Sequence, residues 1–182
     1  MNMLRAQEAL DQAKLLAEER NYHESLKEAK KANEFIMNAT GVNKELHSDI
    51  CVSMGSNLYA LKRYEDAIKS FYQAHNLLLE VSDSEYNAVI MFDIGVCYSG
   101  LKNYASSLAF YSEAMKLCRE KPDARSVCYF YIGEVYYNLG EFEKSRIFLT
   151  ECLHLRRRLY SDLDSEVTSV IDMLNLIKAI QT

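Results

Sequence analysis

Little in this sequence can interrupt a helix. Its 182 residues include one proline and six glycines, a composition that favours long helices joined by short connections. No apolar run approaches the roughly 18 residues of a membrane span. The opening residues, MNMLRAQEALDQAK, carry early charges and lack an apolar segment, so they do not read as a signal peptide. Basic charge is also scarce: 21 Lys and Arg stand against 26 Asp and Glu, a net charge of -5. That balance argues against nucleic acid or a membrane surface as a partner, since both call for a basic face. Five cysteines (Cys51, Cys97, Cys118, Cys128 and Cys152) make an odd count with no C-x-x-C pair. A secreted disulfide framework would look different, and the expectation is reduced, mostly buried thiols in a cytoplasmic protein.

The chemistry-bearing motifs are missing as well. The chain has no phosphate-binding G-x-x-x-x-G-K-[ST], no G-x-G-x-x-G and no H-E-x-x-H. Its serines have no histidine base at a motif spacing. No catalytic residue, metal or cofactor is therefore expected, and the chain reads as a non-enzyme. His47 and Cys51, at i and i+4, come nearest to a metal pair, but two ligands without a third read as a surface histidine beside a packed cysteine.

What is present is a repeat. Hydrophobic residues make up 49% and charged residues 26% of the chain, a globular balance rather than a disordered one. Gly55, Gly95 and Gly133 are spaced 40 and 38 residues apart, and Ala13 lies 42 before Gly55. Nine residues after each small anchor comes an aromatic: Tyr22, Tyr64, Tyr104 or Phe142. Twelve after comes Ser25, Ala67, Ser107 or Ser145, and nineteen after comes Ala32, Ala74, Ala114 or Cys152. Repetition at this length means a solenoid. Apolar residues at three and four spacing in both halves of each unit, as in Ile68, Phe71, Tyr72 and Leu78, predict two antiparallel helices. A glycine inside a helix costs about 1 kcal/mol relative to alanine. At the crossing of two helices it lets the backbones close, and packing there offsets the cost.

The pattern resembles the tetratricopeptide repeat family. Ile94-Gly95-x2-Tyr98 with Tyr111 and Ala114 carries the likeness in the third unit. The fourth has Ile132-Gly133-x2-Tyr136 with Leu149 and Cys152, and the second has Met54-Gly55-x2-Leu58 with Ala67, Phe71 and Ala74. No unit keeps the family's tryptophan, and the only proline is Pro122. The resemblance implies an all-α fold, a right-handed α–α superhelix of four helical hairpins plus a C-terminal helix. Its expected bounds are one domain over 1–182, with repeats over 3–38, 44–81, 83–120 and 122–160 and a last helix over 162–180. Repeats longer than the usual 34 residues are similar to those of bacterial peptide-sensing regulators, including Rap and PlcR-like receptors, and of other signalling proteins.

The family lines its concave groove with the first helix of each pair. The resemblance therefore places the groove at residues six and three before each glycine and one, four and five after it. The candidate ligand-binding residues are Asp49, Val52, Ser56 and Tyr59, then Val89, Phe92, Val96 and Ser99, then Phe130, Glu134, Tyr137 and Asn138. Val52, Phe92 and Phe130 share one offset and would form an apolar row, which on a solvent face calls for a cover. Two alternatives stay open: longer helices rotate these residues into the core, or the last helix fills the groove. The lysine and asparagine clamp of chaperone-binding members is absent, since Val52, Phe92, Phe130, Ser56, Val96 and Glu134 stand at its offsets. The expected function is a non-enzymatic scaffold that binds a peptide or protein segment. The alternatives are the sensory or regulatory part of a signalling protein whose output domain is absent, and self-association.

The ends differ. In the first helix Leu4, Ala6, Ala9, Leu10, Ala13 and Leu16 are expected to face inward, with charges outside as a solubilising cap. The last helix carries two apolar stripes: Val167, Val170, Ile171, Leu174 and Ile177, and then Met173, Leu176 and Ile180. Either both pack under the fourth unit and its neighbouring groove, or one meets a second copy as a homodimer or a domain lost by truncation. Arg156, Arg157 and Arg158 are expected to complement the dipole of the helix they end, with an anion contact as the alternative.

Overall fold

The computed structural model describes residues 1–41, 43–79 and 84–181. These form nine helices: α1 (Asn2–Glu18), α2 (Tyr22–Met37), α3 (Lys44–Ala60), α4 (Tyr64–Leu79), α5 (Ser84–Gly100), α6 (Tyr104–Leu117), α7 (Pro122–Asn138), α8 (Phe142–Leu159) and α9 (Ser165–Gln181). No strand occurs among the described residues. The chain divides into two compact units, Met1–Lys102 with α1 to α5 and Asn103–Thr182 with α6 to α9. The paired helices are the all-α hairpins that the repeat predicts. The boundary at residues 80–83, between the second and third repeats, lies outside the described residues.

The small positions are explained by contacts at both ends of a hairpin. A Cβ added to Gly55 would stand 2.7 Å from the Phe71 ring, and one added to Gly133 would stand 2.8 Å from Cγ of Leu149. Both neighbours are buried, so neither can step aside. Twelve residues on, the Ser25 hydroxyl donates to the Ala13 carbonyl and the Ser145 hydroxyl to the Gly133 carbonyl, each at 2.7 Å. In the first and fourth repeats, serine at this offset thus ties the second helix to the backbone of the first. At the open end the Cys152 thiol donates to the Ser126 carbonyl at 3.2 Å, and the Ser48 hydroxyl to the Ala74 carbonyl at 3.4 Å. A small residue nineteen past the anchor is what allows that approach.

The turns repeat too. Arg20, Lys62, Lys102 and Gly140, each seven residues past its anchor, hold φ of 58°, 59°, 58° and 74°. A left-handed residue there closes the helix end: Gly140 N–H donates to the Tyr137 carbonyl and Glu141 N–H to the Tyr136 carbonyl, each at 2.9 Å. The aromatic two residues beyond then folds back on the preceding helix. Tyr64 meets Tyr59 with ring centroids 5.6 Å apart, and Phe142 meets Tyr137 at 5.7 Å.

In the first unit Ala6, Ala9, Leu10, Ala32, Ile36 and Ile50 form one buried cluster, with Phe35, Leu46 and Met54 against it. Leu4, expected inward, is 65% exposed, because the helix turns it away from α2. In the second unit Leu149, Cys152, Val170 and Ile177 form one buried cluster. The last helix starts at Ser165 rather than 162. Asp164 stops the preceding turn, and its Oδ1 accepts from Glu166 N–H at 2.9 Å. All five cysteines are free and buried. Burial pushes the thiols of Cys51 and Cys152 up to about 11 and those of Cys97 and Cys128 to about 12. They act as small apolar side chains, not as nucleophiles.

Candidate functional site

Among the twelve groove candidates, none is fully buried. The eight in the first unit lie on α3 and α5. Val89 is 48% and Tyr59 41% exposed, while Asp49, Val52, Phe92, Val96 and Ser99 are partly buried and Ser56 is exposed. Large apolar side chains left in water on the first helix of a hairpin make this face a candidate surface.

A cleft of about 390 Å³ opens beside it, lined by Lys14, Ala17 and Glu18 of α1, Tyr22 of α2, Asp49, Val52, Ser53, Ser56 and Asn57 of α3, and Tyr86 of α5. The repeat register explains the gathering. Lys14, Ala17 and Glu18 stand one, four and five residues past Ala13, the offsets that Ser56, Tyr59 and Ala60 hold relative to Gly55. The Tyr86 hydroxyl donates to Asp49 Oδ1 at 2.8 Å and holds that carboxylate at the rim. Offset reasoning found Asp49, Val52 and Ser56. It missed Ser53 and Asn57, one step round the helix, and the contribution of α1, whose anchor is Ala13 rather than a glycine.

In the second unit the four candidates lie on α7. Phe130 and Tyr137 pack against the cluster of Leu149, Cys152, Val170 and Ile177, so the last helix covers part of this face. The Arg156 guanidinium lies 5.0 Å from the centre of the Phe130 ring. It pairs with the Glu166 carboxylate at 2.7 Å and donates to the Glu166 carbonyl at 2.6 Å. Arg156 is therefore buried between α8 and α9; it stands in the last turn of α8 as expected, with an acidic side chain of this chain as its partner. Arg157 reaches Asp162 at 3.0 Å. Burial raises the carboxyl of Glu134 above its ordinary range, and Asn138 is exposed.

Of the residues weighed for metal binding, His47 turns to Asn33 Oδ1 at 3.1 Å rather than to Cys51. Among the described residues no group of three or more His, Cys, Asp or Glu is placed to hold a metal ion. None of the described helices is long and apolar enough to cross a membrane.

Two models of the tetratricopeptide repeat match residues 49–120 and 128–164, together more than half of the chain. No curated protein matches the sequence. Among solved structures, aspartyl phosphate phosphatase F from Bacillus subtilis has a TM-score of 0.85 at 17% identity, covering 100% of this chain and 49% of its own. A Rap protein complexed with competence and sporulation factor has a TM-score of 0.78 at 12% identity, covering 100% and 50%. BtubC (BKLC) from P. vanneervenii has a TM-score of 0.80 at 14% identity, covering 93% and 70%. The chain thus spans about half the length of the first two. Identities this low speak for the fold alone.

Proposed function

Since this chain belongs to the tetratricopeptide repeat family, we propose that it is a non-enzymatic binding module holding a peptide or protein segment against the inner faces of its hairpins. The observation that carries this reading is the exposure of Tyr59 and Val89 on α3 and α5. Aromatic and branched side chains on a face with polar edges suit an extended chain: apolar anchors supply affinity and the polar groups hold the ligand backbone. The candidate contacts in the first unit are Asp49, Val52, Ser56, Tyr59, Val89, Phe92, Val96 and Ser99. Those in the second are Phe130, Glu134, Tyr137 and Asn138. The test is affinity capture from the source cell's lysate with wild type and the Tyr59→Glu/Val89→Glu double variant. Both sites are exposed, so the variant should keep its helical circular dichroism. A partner held by wild type and lost from the folded variant supports the reading. Equal capture by both would remove it.

A second reading is the sensory or regulatory portion of a bacterial signalling protein acting in the cytoplasm. Full coverage of this chain on half of aspartyl phosphate phosphatase F and on half of the Rap protein solved with competence and sporulation factor favours it. Self-association is the third reading. Leu176 and Ile180 stay 54% and 50% exposed on α9, and light scattering that finds a monomer at high concentration would exclude it.

A further inference from the structure

The cleft between α1 and α3 holds more acceptors than its own donors serve. Asn57 is 3% exposed, and its Nδ2 donates to the Ser53 carbonyl at 2.8 Å. That bond orients the amide and leaves Oδ1 buried with no donor. A buried acceptor without a partner is unfavourable and rare in folded proteins, and the exceptions call for an explanation. Around it stand the carboxylates of Glu18 and Asp49 against a single ammonium, that of Lys14. None of these three groups is in an ion pair among the described residues. Tyr86 occupies only Oδ1 of Asp49. Two tyrosines, Tyr22 and Tyr86, and Val52 supply apolar walls.

We propose that this cleft takes the guanidinium of an arginine side chain from an extended peptide partner. An anion is disfavoured by the excess of carboxylate. A neutral apolar group would leave Asn57 Oδ1 unserved. Guanidinium carries five N–H donors in a planar fork, so it can serve acceptors on several sides at once. It is weakly hydrated, and its plane stacks on aromatic rings, which suits a cleft with tyrosine walls. The inference rests on the inner face being a peptide-binding surface, and names the chemistry of one of its subsites.

The test is a titration of the 15N-labelled full chain with Nα-acetyl-L-arginine amide, read by NMR at the Asn57 side-chain amide and the Ser53 and Ser56 backbone amides. Saturable shifts confined to the cleft are expected, with Glu18→Gln and Asp49→Asn each weakening binding about tenfold. Neither position is fully buried, so both variants should fold, as circular dichroism would verify. The citrulline counterpart, which keeps the shape without the charge, should produce no saturable shift. Absence of a saturable shift with the arginine probe would overturn the proposal. So would equal binding of the citrulline or Nα-acetyl-L-lysine counterpart, or indifference to both substitutions. The wider reading fails separately. Capture lost in Tyr59→Glu/Val89→Glu with a silent arginine probe removes this proposal alone. Unchanged capture with a responsive probe removes the wider reading, and with it the peptide as the source of the arginine, leaving a guanidinium site alone.

Discussion

Tyr59 and Tyr137 occupy one register position, four residues past their glycines, and each touches the aromatic that opens the next helix. Yet Tyr59 is 41% exposed in the first unit, while Tyr137 in the second packs with Phe130 on the cluster that α8 and α9 share. Val52 and Phe130 differ in the same way: one lines an open cleft, the other lies under the Arg156 guanidinium. An identical offset in the repeat sets which way a side chain points. What covers it depends on the next helix along. For α7 the neighbour is α9, whose Val170 and Ile177 are fully buried.

The comparison breaks most visibly if α9 is loosened. Ile177→Ala removes a fully buried side chain and should cost about 2–5 kcal/mol in chemical denaturation. Tryptic cleavage at Lys178 should rise, and a partner for Phe130 and Tyr137 would be lost. An equally stable variant would mean that α9 does not hold this face.

The crossings should behave alike in both units. Gly55→Ala and Gly133→Ala each place a methyl against a buried neighbour at under 3 Å. The strain of overpacking, about 1–3 kcal/mol, exceeds the roughly 1 kcal/mol of helix propensity gained, so both variants should unfold at lower denaturant. A stabilised variant at either site would show that the hairpin opens freely there.

Asp93, on α5, gives the first unit a pH dependence that Asp93→Asn should remove. Burial raises its carboxyl to about 7. The folded state then keeps a proton that the unfolded state releases near pH 4, so stability falls as pH rises from about 4 to 7 and levels off above. The expected loss is at most about 4 kcal/mol, three pH units at roughly 1.4 kcal/mol each, measured as the difference between wild type and variant across that range.

The turns offer the smallest and most pointed contrast. Lys62 holds the left-handed conformation that Gly140 holds in the second unit. Side chains adopt it at a cost of roughly 1 kcal/mol, so Lys62→Gly should stabilise the first unit by a few tenths to about 1 kcal/mol. Gly140→Lys should destabilise the second by a similar amount, and opposite signs would show that the two turns are not equivalent.

The hairpins were legible because their causes are local and recur. Gly55 and Gly133 mark crossings, Tyr64 and Phe142 mark turns, and Ser25 and Ser145 bind the carbonyl of the anchor they follow. Each of these depends on residues within a few turns of chain, so spacing alone exposes it. Arg156 could not be read this way. Its run of three arginines predicts charge that complements the dipole of a helix end, and only the return of α9, with Glu166 and Phe130 in place, makes Arg156 a buried partner. The cleft is similar: Asn57 and Glu18 lie 39 residues apart in sequence, and no periodicity announces an acceptor without a donor. The sequence by itself determined which residues face along each helix, through the 3.6-residue period and the small residues that close each pair. Whether a given face stays open, is covered by the next helix or gathers uncommitted polar groups was decided by tertiary packing, because those outcomes depend on atoms contributed by other elements.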